Sequence, residues 1–312
     1  MTPSLAVPTI DLGSYLRPNA SAEGKAKVIE QVRAACSEYG FFQVIGHGVA
    51  VSTQCQMLEC CQTLFRLPQE QKEELSLKNS VARRGYERIG EQVLDSKALP
   101  DQKEGFYIGR EVPVDDVSFL RGPNQWPDLP FTVFREPVTA YYQHMLRLGN
   151  ALLEMLAIGL GHELQALDNF TKEPVVNLKL LHYPPHLSTD ARQFGAGAHT
   201  DFGSITVLLQ QPGKHGLQVY HQASGEWLAV PAVEDVLIVN IGDLINKWSG
   251  GRYSSTLHRV INTSDDDRYS VPCFYHGNLS ATNPFEPGRT DGETVEEHIR
   301  RKFDTSYGLS AK

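Results

Sequence analysis

No Cys-x-x-Cys pair occurs in the chain, and its five cysteines, Cys36, Cys55, Cys60, Cys61 and Cys273, are odd in number. That disfavours a disulfide framework and a thiolate zinc site, and points to reduced thiols in a cytoplasmic protein. No basic segment followed by an apolar core opens the sequence, so no secretory leader is expected. The most apolar stretch, Ala151 to Leu160, is too short to span a bilayer and reads as a buried helix. Runs of basic residues are missing too, and the formal net charge is -8. Binding to nucleic acid needs a basic patch, so neither nucleic acid nor a membrane is the expected partner. Internal repeats, low-complexity segments and Ser/Gly linkers are absent, which favours one unit of undetermined oligomeric state.

What is present is a chain of 312 residues, 41% hydrophobic and 21% charged, enough for a sizeable core. A short strand is expected over Val7–Leu12. Helical spacing of Val28, Ile29, Val32, Ala35, Cys36 and Tyr39 predicts a helix over Lys25–Tyr39, closed by Gly40. A strand follows at Phe41–Ile45 and a helix at Ser52–Phe65, stopped near Pro68. Residues 76–130 read as irregular and polar, with a possible strand at Gly105–Ile108. A long helix is expected over Phe131–Leu160, with Pro137 in its first turns or at a kink. From Val175 the texture changes to short β-branched or alternating runs between turn residues: Asn177–Tyr183, Ser204–Leu209, Leu217–Tyr220, Val236–Asn240, Thr256–Ile261 and Tyr269–Tyr275. Such a series predicts an antiparallel sandwich or jelly roll. Thr294 and Glu297 have capping-box spacing before Ile299 and Phe303, so a helix is expected near the C-terminus.

One H-x-D occurs, His199-Thr200-Asp201. Residues two apart in a strand project to one face, so an imidazole and a carboxylate there can meet one ion. His258, on a later expected strand, is the candidate second imidazole. Two histidines and one carboxylate on one face of an octahedron leave three positions open, which suits iron(II) taking an organic co-substrate and O2 together. A lone H-x-D is weak, and a surface histidine near an aspartate is its commoner explanation.

The strand RYSVPCFY (268–275) strengthens it. Arg268, Ser270, Pro272 and Phe274 share a face, and a guanidinium beside a hydroxyl is a receptor for a carboxylate. A second RYS, Arg252-Tyr253-Ser254, follows two glycines and reads as a turn. Asn177, Lys179, Leu181 and Tyr183 share another strand face. Tyr183 would add a phenol to the carboxylate receptor. Lys179 would meet an anionic or polar substrate group, or form a salt bridge at the rim. Asn240 and Asp243, in NIGD, read as turn stabilisers.

In these residues the chain resembles the iron(II)- and 2-oxoglutarate-dependent dioxygenases of the isopenicillin N synthase-like superfamily. The resemblance is carried, in order, by VPTIDL (7–12), YGFFQVIGHGV (39–49), LFRLP (64–68), RGYERIG (84–90), KEGFYIG (103–109), LHYPP (181–185), AHTDFGSITVLLQ (198–210), GLQV (216–219), VNIGDLINKWSGGRY (239–253), LHRV (257–260) and RYS (268–270). His182 stands where the family commonly has asparagine, as in thymine 7-hydroxylase-like fungal members, and leaves any co-substrate contact at 182 open.

The resemblance implies an α+β fold with a mainly β core. Its double-stranded β-helix, or jelly roll, would span residues 172–280, after a helix-rich N-terminal region at 5–130 and before a C-terminal helix, with residues 1–312 forming one catalytic unit. It implies iron(II) on His199, Asp201 and His258, and the far carboxylate of 2-oxoglutarate on Arg268, Ser270 and Tyr183. O2 is then a co-substrate, and ascorbate an optional addition. Oxidation of a small molecule of secondary metabolism would release succinate and CO2. Hydroxylation, desaturation and ring formation all fit. For the substrate wall the candidates are Phe274, Lys179, Tyr86, Phe106 and Phe202. Alternatives are a 2-oxoglutarate-independent oxidase of the same fold, a non-catalytic metal-binding jelly roll, or a zinc hydrolase, which would have no use for Arg268 and Ser270.

Overall fold

A computed structural model describes residues 5–113, 115–185, 188, 190–262, 265–286 and 292–306. The N-terminal region contains β1 (Thr9–Asp11), α1 (Gly13–Leu16), α2 (Ala22–Glu38), β2 (Phe41–Ile45), α3 (Val51–Phe65), α4 (Gln69–Glu74), β3 (Gly85–Glu87) and β4 (Glu104–Gly109). The long helix α5 (Arg135–Gly159) leads into β5 (Val175–Tyr183), β6 (Ala196–His199), β7 (Ile205–Gln210), β8 (Leu217–His221) and β9 (Glu226–Ala229). The chain continues through β10 (Leu237–Ile241), α6 (Asp243–Trp248), β11 (His258–Val260), β12 (Arg268–Gly277) and α7 (Val295–Ser306).

Local chemistry accounts for the helix ends. Ser21 caps α2 by accepting the Gly24 N–H at 3.0 Å. Gly40 closes it with φ +64°, where a Cβ would lie 2.2 Å from the Ser254 carbonyl oxygen. α3 ends at Phe65, short of Pro68, as expected. Pro68 then precedes α4, where its missing N–H is no loss. Pro137 sits in the first turn of α5, for the same reason. Thr294 and Glu297 bond reciprocally, Thr294 N–H to Glu297 Oε2 at 2.8 Å and Glu297 N–H to Thr294 Oγ1 at 3.2 Å, and start α7. Arg252 and Tyr253 fasten the end of α5: Arg252 Nη1 donates to Leu160 O at 3.1 Å and the Tyr253 hydroxyl to Leu156 O at 3.3 Å. The second RYS therefore holds a helix terminus.

An eight-stranded sheet has the order β1-β2-β10-β7-β12-β5-β4-β3, and a four-stranded sheet the order β6-β11-β8-β9. All pairings are antiparallel except β1 with β2. The two sheets form the jelly roll. β3 and β4, from the segment expected to be mostly irregular, extend the large sheet beyond β5. The main core packs α2, α3 and α5 on one face of that sheet, while Phe41, Leu181, Tyr183, Ala196, Leu217 and Val260 join the inner faces of the two sheets.

Candidate active site

A cavity of about 1100 Å³, counting its open mouth, lies between the two sheets. At its base β6 ends at His199, and Asp201 lies in the turn beyond, not in a strand. That turn is held from behind. The Asp243 N–H donates to Asp201 O, and the Gly242 N–H to Ser204 O, both at 2.8 Å. A Cβ on Gly242 would lie 2.2 Å from the Gly203 carbonyl oxygen, so only glycine allows the approach. His258 pairs with His199 across β11 and β6, with ring centroids 4.2 Å apart. The Nε2 atoms of His199 and His258 stand 3.9 and 3.7 Å from Asp201 Oδ1.

Among the described residues these three form the one cluster of potential ligands able to hold a metal ion, their donor atoms all within 4.8 Å of one another. Each imidazole is oriented for it. His199 Nδ1 is 2.7 Å from Gly197 O, and His258 Nδ1 is 3.1 Å from Thr256 O. A proton on each Nδ1 leaves each Nε2 lone pair toward the centre. Asp201 Oδ2 accepts from Asn240 Nδ2 at 2.8 Å and from Thr206 Oγ1 at 2.5 Å, which leaves Oδ1 to the histidines. Asn240 thus holds this carboxylate, a larger role than the turn its sequence context predicts. Burial and the adjacent His258 push the His199 pKa down to about 3, so its ring is neutral at physiological pH. Burial opposes ionisation of Asp201, but His258, His199, Thr206 and Asn240 outweigh it and hold the carboxyl low. Two imidazole nitrogens and a carboxylate oxygen converging on one point fit a divalent cation.

The strand period of β12 places Arg268, Ser270, Pro272, Phe274 and His276 along the cavity wall. Arg268 is 1% exposed and faces Tyr183 in register across β5, its guanidinium 4.7 Å above the phenol ring. Nη2 donates to Gln210 Oε1 at 3.1 Å and Nε to Lys214 O at 3.3 Å, while Nη1 is buried without a hydrogen-bond partner. Burial pushes the Arg268 pKa down, and Tyr183 opposes the shift. A buried guanidinium with a spare N–H group fits a carboxylate ligand.

Of the proposed substrate-wall residues, Phe274, Lys179 and Phe202 line the cavity, and Tyr86 and Phe106 do not. Phe106 points into the main core because Tyr107, its neighbour on β4, takes the cavity face. Tyr86 is turned behind the sheet, where its hydroxyl donates to Glu104 Oε2 at 2.5 Å. Lys179 is not at a rim. It is 3% exposed and paired with Glu87 Oε2 at 2.6 Å. His182 faces away from the cavity, its ring nitrogens 2.7 Å from Glu104 Oε1 and 2.8 Å from Asp267 Oδ1. His276, outside the expected set, also lines the cavity, and it continues the β12 alternation two residues beyond Phe274. Gln92, Lys103, Ile299 and Phe303 also line the cavity. No pattern marks Gln92, which comes from the irregular segment; Lys103 opens the KEGFYIG run, which says nothing of where its side chain points, and Ile299 and Phe303 read equally well as core positions of a helix.

Two family descriptions match: residues 7–129 the N-terminal domain of non-haem dioxygenases in morphine synthesis, and residues 173–277 the 2OG-Fe(II) oxygenase superfamily. The 2-oxoglutarate-dependent dioxygenase caaD of Aspergillus niger is 51% identical, over 98% of this chain and 95% of its own. Clavatol oxidase claD of Penicillium crustosum is 38% identical, over 98% of each. The full-length thymine 7-hydroxylase of Neurospora crassa, solved in complex with alpha-KG, aligns with a TM-score of 0.84 at 25% identity, covering 98% of each chain. On this family evidence, together with the His-Asp-His cluster, the chain belongs to the 2OG-Fe(II) oxygenase superfamily and is an iron(II)- and 2-oxoglutarate-dependent dioxygenase.

Proposed function

We propose that His199, Asp201 and His258 hold the iron(II), and that Arg268, Ser270 and Tyr183 receive the far carboxylate of 2-oxoglutarate. The whole chain then acts as one catalytic unit. Its small organic substrate binds beside Phe274, Lys179 and Phe202, in a cytoplasmic reaction of secondary metabolism. The observation that carries the co-substrate assignment is Arg268 Nη1, buried and without a partner on the wall of the cavity that holds the His-Asp-His cluster. A carboxylate satisfies that group, and no acidic side chain among the described residues is paired with it. Support for secondary metabolism comes from fungal relatives such as the clavatol oxidase.

When bound, iron(II) with 2-oxoglutarate and O2 supplies the oxidising power, and the co-substrate leaves as succinate and CO2. The chain's own part is placement. Thr206 and Asn240 present one oxygen of Asp201, and the Gly197 and Thr256 carbonyls fix the two imidazoles. Gln210 and Lys214 O aim the guanidinium. The apolar inner faces of the two sheets keep water from the reacting groups.

Replacement of Arg268 by methionine tests the assignment. The KM for 2-oxoglutarate, followed by succinate release, is expected to rise about tenfold to a hundredfold, the loss of a charge-assisted pair. Metal binding stays intact. Thermal stability does not fall, because an isolated buried charge is removed. An unchanged KM would sink the assignment. Oxidation of substrate without succinate would favour the 2-oxoglutarate-independent alternative.

A further inference from the structure

Away from Arg268 the cavity has a second polar wall, whose donors outnumber its acceptors. Lys103 lies just before β4 and Lys179 on β5; their side chains are 4% and 3% exposed, and both line the cavity. Lys179 is fully engaged, with Glu87 Oε2 at 2.6 Å, Gln92 Oε1 at 3.1 Å and the Tyr107 hydroxyl. Lys103 differs. Among the described residues it donates to Asp101 Oδ2 alone, and Asp101 Oδ1 accepts the Gly197 N–H at 2.9 Å. An ammonium has three N–H groups, so two remain uncommitted. Gln92 gives its carbonyl to Lys179, which turns its NH2 end elsewhere, and that nitrogen has no acceptor among the described residues. Asp101 and Glu87 stand behind this wall and do not line the cavity.

A buried ammonium with uncommitted N–H groups is costly unless an acceptor ligand completes it. The 2-oxoglutarate held at Arg268 is poorly placed to do so. Arg268 pairs with Tyr183, and Lys179 lies four residues back along β5, about 13 Å at the strand rise; Lys103 adjoins Glu104, the partner of His182, two strands from Arg268, about 10 Å at the strand spacing, with its ammonium drawn to Asp101. The wall instead stands close to the metal ligands, because Asp101 is bonded to Gly197, two residues before His199. Opposite it the cavity is apolar, with Leu120, Phe274, Ile299 and Phe303.

We propose that Lys103 and Gln92 are the substrate-docking residues, and that they select an organic acid: an anionic oxygen, carboxylate or acidic enol, on an apolar body. Lys179, paired with Glu87, positions Gln92. The proposal deepens the dioxygenase reading above and rests on its placement of metal and co-substrate.

The test is equilibrium binding to the full chain with Mn(II) and saturating 2-oxoglutarate, without turnover. The probes are benzoate for a carboxylate, dimedone for an acidic enol, and methyl benzoate as the neutral counterpart. At least one acid is expected to bind about tenfold or more tightly than the ester, and which acid binds identifies the oxygen. Lys103→Met should abolish that preference and Gln92→Leu weaken it, while 2-oxoglutarate affinity stays unchanged. Because Lys103→Met strands Asp101, the paired variant Asp101→Asn/Lys103→Met repeats the measurement without a lone buried carboxylate. The proposal is overturned if neither acid outbinds the ester, or if the preference survives loss of Lys103. It is also overturned if Lys103→Met costs 2-oxoglutarate affinity, since the wall would then serve the co-substrate. Failure of the underlying reading looks different: Arg268→Met would leave 2-oxoglutarate affinity unchanged, while the acid preference and its dependence on Lys103 remain.

Discussion

At the scale of single residues, His182 shows how a position inside a diagnostic motif can serve the scaffold. Tyr183 points into the cavity, so His182 must point out, and there it meets two carboxylates. With an acceptor on each ring nitrogen, both nitrogens donate and the ring is an imidazolium. Burial works against that charge, but Glu104 and Asp267 outweigh it and raise the pKa. Burial likewise opposes ionisation of Glu104, and His182, Lys72 and Tyr86 together hold it low. The sign for His182 follows. Its contribution to stability is fully present below the unfolded value of about 6.5, and is lost as pH rises through the higher folded value. His182→Gln should therefore cost about 1–2 kcal/mol on the acid side, discounted for the half-exposed Asp267. In alkaline solution the cost should be much smaller. Thermal melts across pH check this, and a difference between wild type and variant that grows with pH would refute it.

Among the elements, α7 has the clearest double role. Val295, Ile299 and Phe303 recur every four residues and point inward, which makes an amphipathic helix. Two of the three also line the cavity. The helix is tied down by Lys302 to Asp243 Oδ2 at 2.7 Å, and by Glu293 to Lys247 at 2.8 Å and Arg301 at 2.9 Å. Arg300 lies 4.1 Å over the Phe119 ring, which meets Phe303 edge-on. Lys302 thereby reaches α6, whose first N–H steadies the Asp201 turn. The Ile299→Ala/Phe303→Ala variant should raise the substrate KM about tenfold or more, from lost apolar contact. Affinity for metal and 2-oxoglutarate should be untouched. The ratio of oxidised product to succinate is the sensitive readout, because a loosened wall wastes co-substrate. A fall in 2-oxoglutarate affinity instead would place α7 against the co-substrate.

On the scale of the whole molecule, most of the thiols are sealed inside the core. All five cysteines are free, and only Cys55 is exposed. Burial pushes the thiols of Cys36, Cys61 and Cys273 up, and that of Cys60 to about 12. Iodoacetamide should therefore label the native protein at Cys55 and the unfolded protein at all five positions. Mass spectrometry counts the adducts, and rapid native labelling of Cys60 or Cys61 would contradict this packing. No helix of the described residues is long and apolar enough to cross a membrane. Much of the fold was legible because strand and helix periods are local properties. The alternation of β12 alone put Arg268, Ser270 and Phe274 on one face, and the α5 stripe marked its buried side. Tyr86 and Phe106 face the core and not the cavity, because the face a short strand turns inward depends on its neighbours, and the pairing of β4 with β5 is long-range. Gln92 has no local signature, since a loop has no period, and the KEGFYIG run that Lys103 opens does not reveal which way a residue ahead of the strand turns. The kind of centre is written in the chain: two imidazoles and a carboxylate of ligand type, followed by an Arg-x-Ser receptor, each in residues close together or in family order. What surrounds it comes from folding: the Asn240 and Thr206 bonds that steer Asp201, the partnerless Nη1 of Arg268 and the donor wall at Lys103. Those depend on which distant strands come to lie side by side, and that is fixed by packing across the sheets.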